Sequence, residues 1–281
     1  MSVYLTEDDQ KRLEQKAVEV RETVIRMLVE AGSGHTAGPL GMADIFAAFY
    51  FHILAHDPKS PDWPERDRLI LSNGHITPVR YAAMAHAGYF PVEECLTLRK
   101  FGSRLQGHPE RDMLPGIETT SGPLGSGLSQ AAGIAYGAKM DKKDFYTYAF
   151  MSDGEQQEGN TWEGAMFAAK YRLNHLIAVM DRNNIQITGD TEDIMPLEPL
   201  ADKYVAFGWH VIEIDGHNLE QITDAVQEAK AIKEKPTLIL AHTTPGKGVK
   251  EIENDYLWHG QPPKKEQEES FIKEIRESSR Q

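Results

Sequence analysis

MSDGEQQEGNTWEGAMFAAKYRLNHLIAVMDRNNIQI, residues 151–187, is the stretch from which the fold of this chain can be read. FYTYAFM (145–151) runs up to Asp153-Gly154, and LIAVM (176–180) runs up to Asp181-Arg182-Asn183-Asn184. Both short apolar runs read as buried strands, and the small-residue segment between them reads as a helix starting near Gln157. Strand, helix and strand in that order make a parallel crossover, right-handed by the usual chirality. Two clusters of oxygen-bearing side chains then stand beyond the carboxyl ends of parallel strands, the edge of an open α/β sheet at which ligands bind.

The atoms offered at that edge suggest a chemistry. Asp153 brings a carboxylate, Asn183 an amide carbonyl, and the irregular segment after Asn183 a backbone carbonyl. Such a set suits a hard cation whose shell is completed by phosphate oxygens. Gly154 lets the backbone approach an anion, and the following helix points amide N–H groups at it. A lone Asp-Gly is ordinarily a turn; the second strand end thirty residues on makes a Mg-diphosphate site the stronger reading.

Composition narrows the rest. The 281 residues are 40% hydrophobic, enough for the core of one large α/β domain, and 30 basic against 43 acidic residues give a net charge of -13. That balance disfavours nucleic acid and anionic membranes as partners, so a phosphate must be held by local groups. The single cysteine, Cys95, excludes an intramolecular disulfide; the polar start carries no secretory signal and no apolar run is long enough to span a membrane. A soluble cytoplasmic protein is expected.

Upstream, apolar residues recur at helical spacing from Leu13 to Ala31, ending at Gly32 and Gly34. His35 follows on a glycine-flanked connection before a second helix near Pro39. RLILS (68–72) reads as a strand with His75 just beyond it, and residues 77–101 read as two helices. The segment 102–127 holds six glycines and three prolines and is too long for an ordinary connection. It is expected to cover a ligand, carrying His108 and passing Gly122 to Gly127 close to it. A helix over 126–140, with small residues at Ser129, Ala132, Gly133, Ala135 and Gly137, suits a tight helix contact within the chain, or one between subunits. Strands WHVIEID and PTLILAH flank a surface helix, and the irregular segment after them carries His259. From Lys264 a polar tail or a partner-facing helix is expected, with Phe271, Ile272 and Ile275 as anchors. The whole predicts one α/β domain over 1–281, a mostly parallel sheet with helices on both faces.

Four histidines, His35, His75, His108 and His259, thus fall on loops, where imidazoles suit sugar and phosphate oxygens and proton movement near neutral pH. No zinc spacing, Gly-Lys-Ser/Thr phosphate loop or Gly-x-Ser-x-Gly elbow is present.

In order, SGHTAGPLGMADI, LSNGH, GHPE, TTSGPLGSGLSQAAG, the Asp153-Gly154 to Asn183 pattern and WHG (258–260) resemble the amino-terminal, diphosphate-binding half of transketolase over residues 10–263. Ser152 departs from it, standing where the family's thiamine-diphosphate fingerprint has Gly. The resemblance implies the thiamine-diphosphate-binding fold. It implies Mg2+, or Ca2+ or Mn2+ in its place, on Asp153, Asn183 and the carbonyl of Ile185. It implies diphosphate contacts from Gly154, His75 and His259, Gly122 and Leu124 beside the aminopyrimidine, and Ile187 beside the thiazolium. His35, His108 and His259 would serve the donor sugar's hydroxyls and proton transfers, and Glu158 the subunit interface near a partner's cofactor-activating glutamate. Family members continue into further domains, so the chain resembles the amino-terminal subunit of a split transketolase, paired two and two with carboxyl-terminal subunits to act on sugar phosphates. Alternatives are a subunit of a 2-oxo acid dehydrogenase or deoxyxylulose phosphate synthase type, or a noncatalytic cofactor-binding subunit.

Overall fold

The computed structural model describes residues 5–278. Helix α1 (Glu7–Ala31) opens the fold. Its first turn is acidic, the Thr6 hydroxyl accepts the Asp9 amide, and Gly32 closes the helix in the left-handed conformation at φ 60°. Two short helices, α2 (Ala37–Gly41) and α3 (Ala43–Ala48), follow, and β1 (Arg68–Leu71) leads into α4 (Thr77–Ala87). After the long loop come α5 (Ser126–Met140), β2 (Thr147–Ser152), α6 (Gly159–Lys170) and β3 (Leu176–Arg182). A small hairpin of β4 (Ile185–Gln186) and β5 (Gly189–Asp190) precedes α7 (Thr191–Ile194) and α8 (Leu200–Ala206). Then β6 (His210–Asp215), α9 (Leu219–Ala231), β7 (Thr237–His242) and α10 (Glu268–Ser278) complete it.

β1, β2, β3, β7 and β6 form, in that order, one sheet whose neighbours are all parallel. Alternation within the apolar runs explains why helices cover both faces. Leu69, Tyr148, Phe150, Ile177, Val179 and Ile239 point into a core with α1, α3, α4, α9 and α10. Their neighbours Ile70, Ala149, Met151, Ala178, Met180 and Leu238 point into a second core with α5, α6 and α8. Every residue of β2 and β3 is buried, so the carboxyl ends of these strands are held rigidly at one rim.

Several expectations are corrected. Gly154–Gln157 is a 3-10 turn and the α-helix starts only at Gly159, because the Asp153 side chain caps the tighter turn through the Gly154 amide. The second helix expected within 77–101 is a 3-10 segment, Val92–Thr97. The segment after Asn183 is the β4–β5 hairpin rather than irregular backbone. Beyond Lys264 the chain folds onto itself: Phe271, Ile272 and Ile275 are buried in the core that contains α1, and Arg276 bonds Glu22 at 2.6 Å. Between α5 and α6, a Cβ on Gly164 would lie 2.8 Å from Ser129 Oγ, the close approach that the small residues suggested, whereas Gly133 and Gly137 face open space.

Candidate active site

The carboxyl ends of β1, β2 and β3 and the segment around His259 enclose a cleft of about 260 Å3. His75, Leu124, Ser152, Asp153, Gly154 and Glu158 line it with Asn183, Ile185, Ile187 and His259. Asp153, 1% exposed, follows β2 directly. Its Oδ1 accepts the Gly154 amide at 2.7 Å; its Oδ2 accepts the Asn184 amide at 2.7 Å and Arg182 Nη1 at 3.0 Å. Asn183, just past β3, donates to Asp181 and accepts the Ile185 amide on Oδ1 at 3.1 Å. Its neighbour Asn184 takes φ 64°, turning the chain into the hairpin that brings Ile185 and Ile187 to the cleft. Burial pushes the Asp153 carboxyl upward against its hydrogen bonds. Asp181 is pushed up to about 7 by burial and by the charge of Asp153, against bonds from Thr243 and Asn183.

Three of the four histidines meet. Ring centroids lie 4.8 Å apart for His35 and His75, 5.4 Å for His35 and His259, and 5.2 Å for His75 and His259. Hydrogen bonds tie the loops of His35 and His259: the Thr36 hydroxyl donates to the Gln261 carbonyl at 2.6 Å, and the Gly246 amide to the Ala37 carbonyl at 2.8 Å. Burial holds His35 down to about 4 and His75 well below the ordinary range, and it lowers His259 too. All three rings are therefore neutral at pH 7. His108 lies at the open side against Gly122, where a Cβ would stand 3.7 Å from its ring.

Polar atoms around these rings have no protein partner. His35 Nδ1, both amide atoms of Asn73 and Ser121 Oγ are buried without a hydrogen bond among the described residues. Such groups are costly unless a ligand or water meets them. Together with a carboxylate, an amide oxygen and adjacent backbone at two strand ends, they fit a Mg2+-diphosphate group. Among the described residues, no three His, Cys, Asp or Glu side chains gather to hold a metal.

Of the site residues expected from the sequence, His75, Leu124, Asp153, Gly154, Asn183, Ile185 and His259 line this cleft, with Glu158 and Ile187 at its exposed margin, whereas His35, His108 and Gly122 are not part of its lining. Ser152 ends β2 without positive φ, so its backbone suits a side chain. Sequence reading assigned no role to two buried charges. Glu155 accepts the Ser72 hydroxyl, the Gly125 amide at 2.6 Å and the Ser152 amide at 3.2 Å, stitching two strand ends to the loop before α5. Arg182 joins Asp153 to Glu192 and Glu198, both at 2.8 Å. Charged residues beside an Asp-Gly or Asn-Asn pair look like ordinary surface positions, and nothing local marks them as buried.

Comparison with known proteins agrees with this fold. The model of the transketolase thiamine diphosphate binding domain matches residues 13–277. The 6-deoxy-6-sulfo-D-fructose transketolase subunit SqwG of Clostridium sp. (strain MSTE9) is 43% identical over 268 residues, covering 95% of this chain and 98% of that one. An apulose-4-phosphate transketolase subunit of Phocaeicola vulgatus is 40% identical, covering 94% of each. Transketolase from Leishmania mexicana superposes with a TM-score of 0.88 at 34% identity, over 96% of this chain and 41% of that one. The chain thus spans less than half of the full-length transketolases it matches, and nearly all of the subunits. On the family match and the relatives, this chain belongs to the transketolase family, as its thiamine-diphosphate-binding domain.

Proposed function

We propose that this chain is the thiamine-diphosphate-holding subunit of a split transketolase, which with a carboxyl-terminal subunit, two copies of each, transfers a two-carbon ketol unit from a ketose phosphate to an aldose phosphate. The observation that carries the reading is the meeting, in one cleft, of Asp153 and Asn183 with the half-buried, neutral His75 and His259, both in ring contact with His35. The near-complete mutual coverage with subunits of two other transketolases supports the split arrangement.

When bound, thiamine diphosphate supplies a nucleophilic carbon and an electron sink. This chain's residues do the holding and the proton work. Asp153, Asn183 and the Ile185 carbonyl would hold Mg2+, and Gly154, His75 and His259 the diphosphate. Gly122 and Leu124 would flank the aminopyrimidine and Ile187 the thiazolium. His35, His108 and His259 would bind the donor's hydroxyls; neutral imidazoles both accept and donate there. Glu158, exposed at the cleft margin, would face the partner subunit.

The test combines this chain with its partner subunit, Mg2+, thiamine diphosphate, xylulose 5-phosphate and ribose 5-phosphate. Sedoheptulose phosphate formed only with both chains supports the reading. Failure of the complex to bind the cofactor sinks it. Activity confined to sulfonated or branched sugars redirects the substrate while leaving ketol transfer standing.

A further inference from the structure

Near the amino end of β1, away from the cleft, a cavity of about 20 Å3 lies between α4, the turn Phe49–Ile53 and residues 116–118 of the long loop. Three of its lining groups are donors without a protein acceptor. Arg80, on α4 and 1% exposed, donates from Nη2 to the carbonyls of Leu69 at 3.0 Å and Gly116 at 3.1 Å, and from Nε to the Tyr50 hydroxyl at 3.3 Å. Its Nη1 is buried with no partner among the described residues. Arg66 turns Nη1 to the Trp63 carbonyl and Nη2 to Glu118, and its buried Nε is likewise unpartnered. The Tyr50 hydroxyl, already an acceptor for Arg80, keeps its own proton to give.

The charges here are also unbalanced. Arg66 and Arg68 lie 2.8 and 3.7 Å from Glu118, whose carboxyl burial pushes upward against the charges of Arg66, Arg68 and Arg80. The carboxylate of Asp67 is taken by the amides of Ala55 and Tyr146, at 2.9 and 2.8 Å. Even with Asp67 counted, three cations stand against two anions. Unmet donors in a low-dielectric site cost free energy until an acceptor reaches them, and surplus positive charge deepens that cost. A cavity of about 20 Å3 admits one particle of water or halide size and excludes a tetrahedral oxyanion. A water molecule would add two protons where donors are already in excess, whereas a halide brings only acceptor capacity and the compensating charge.

We propose that this cavity is a halide-binding site, taking one chloride ion between Arg66 Nε, Arg80 Nη1 and the Tyr50 hydroxyl. Gly116 and Glu118 belong to the loop that returns to the cleft at Leu124, so the bound ion braces that loop against α4 and β1. The site stands apart from the thiamine diphosphate chemistry and does not depend on it.

The test follows thermal unfolding of the full chain while sodium gluconate, too large for the cavity, is exchanged for sodium chloride or bromide at constant ionic strength. Chloride at about ten times its dissociation constant should raise the folded-to-unfolded ratio about tenfold, a Tm shift of about 3 °C, saturating as a single site does. Tyr50→Phe keeps the ring and removes one donor, and should weaken halide affinity about tenfold; Arg80→Met should abolish the increment. Crystals of the wild-type chain soaked in bromide give a readout that stands even where Arg80→Met fails to fold: an anomalous peak in the cavity is expected. Equal melting in chloride and gluconate, a halide increment unchanged in Tyr50→Phe, or water in the cavity without bromide scattering overturns the proposal.

Discussion

Replacing His35 by Gln should change how stability depends on pH. Burial, then the neighbouring His259, Arg99 and His108, hold this imidazole at about 4 against an ordinary 6.5. A histidine held low in the folded state costs nothing above pH 6.5, where both states are neutral. Between 6.5 and 4 the unfolded chain takes up the proton and the folded chain does not, so stability falls with acid and the loss is complete below pH 4. Each tenfold change in proton affinity is worth about 1.4 kcal/mol, so the full loss is about 3 kcal/mol, of which about 2 kcal/mol is present at pH 5. Asp181, raised from 3.8 to about 7, acts oppositely, adding stability as pH falls below 7. The quantity to read is therefore the difference between wild type and variant. Urea unfolding of the chain at pH 7.5 and pH 5 should show wild type losing about 2 kcal/mol more than His35→Gln. Equal losses in the two proteins would refute the assignment of a half-buried, neutral His35.

Two further outcomes follow from the geometry of the rim. Arg182→Met leaves the carboxylate of Asp153 buried without its cation and should destabilise the chain by about 3 kcal/mol, with wild-type behaviour in thermal unfolding counting against the buried pairing. Gly125 has φ 79°, and a Cβ there would lie 2.2 Å from Asn160 Oδ1 and 2.6 Å from Glu158 Cβ. Gly125→Ala should therefore displace the loop, cost about 2 kcal/mol, and weaken thiamine diphosphate binding by the two-subunit complex about tenfold or more. Unaltered cofactor affinity would show that this loop does not position the cofactor.

What sequence alone determined is what local spacing encodes. The apolar runs ahead of Asp153 and Asp181 specified two strands, and their uninterrupted hydrophobicity specified a sheet covered on both faces. The glycine-flanked histidines and the Asp153 to Asn183 spacing were legible because short motifs keep their meaning wherever the chain carries them. Only the tertiary structure decided which polar groups are buried together. Thr36 bonding Gln261 across the whole chain brings His35 and His259 within one ring contact. Glu155 became a bond between loops, and Arg182 a buried counter-ion, because strands far apart in sequence end side by side. The tail likewise became core: the apolar stripe of α10 found α1, more than two hundred residues away. Burial of a charged or polar side chain depends on what distant segments place over it, and that is a property of the assembled layers rather than of the residues on either side.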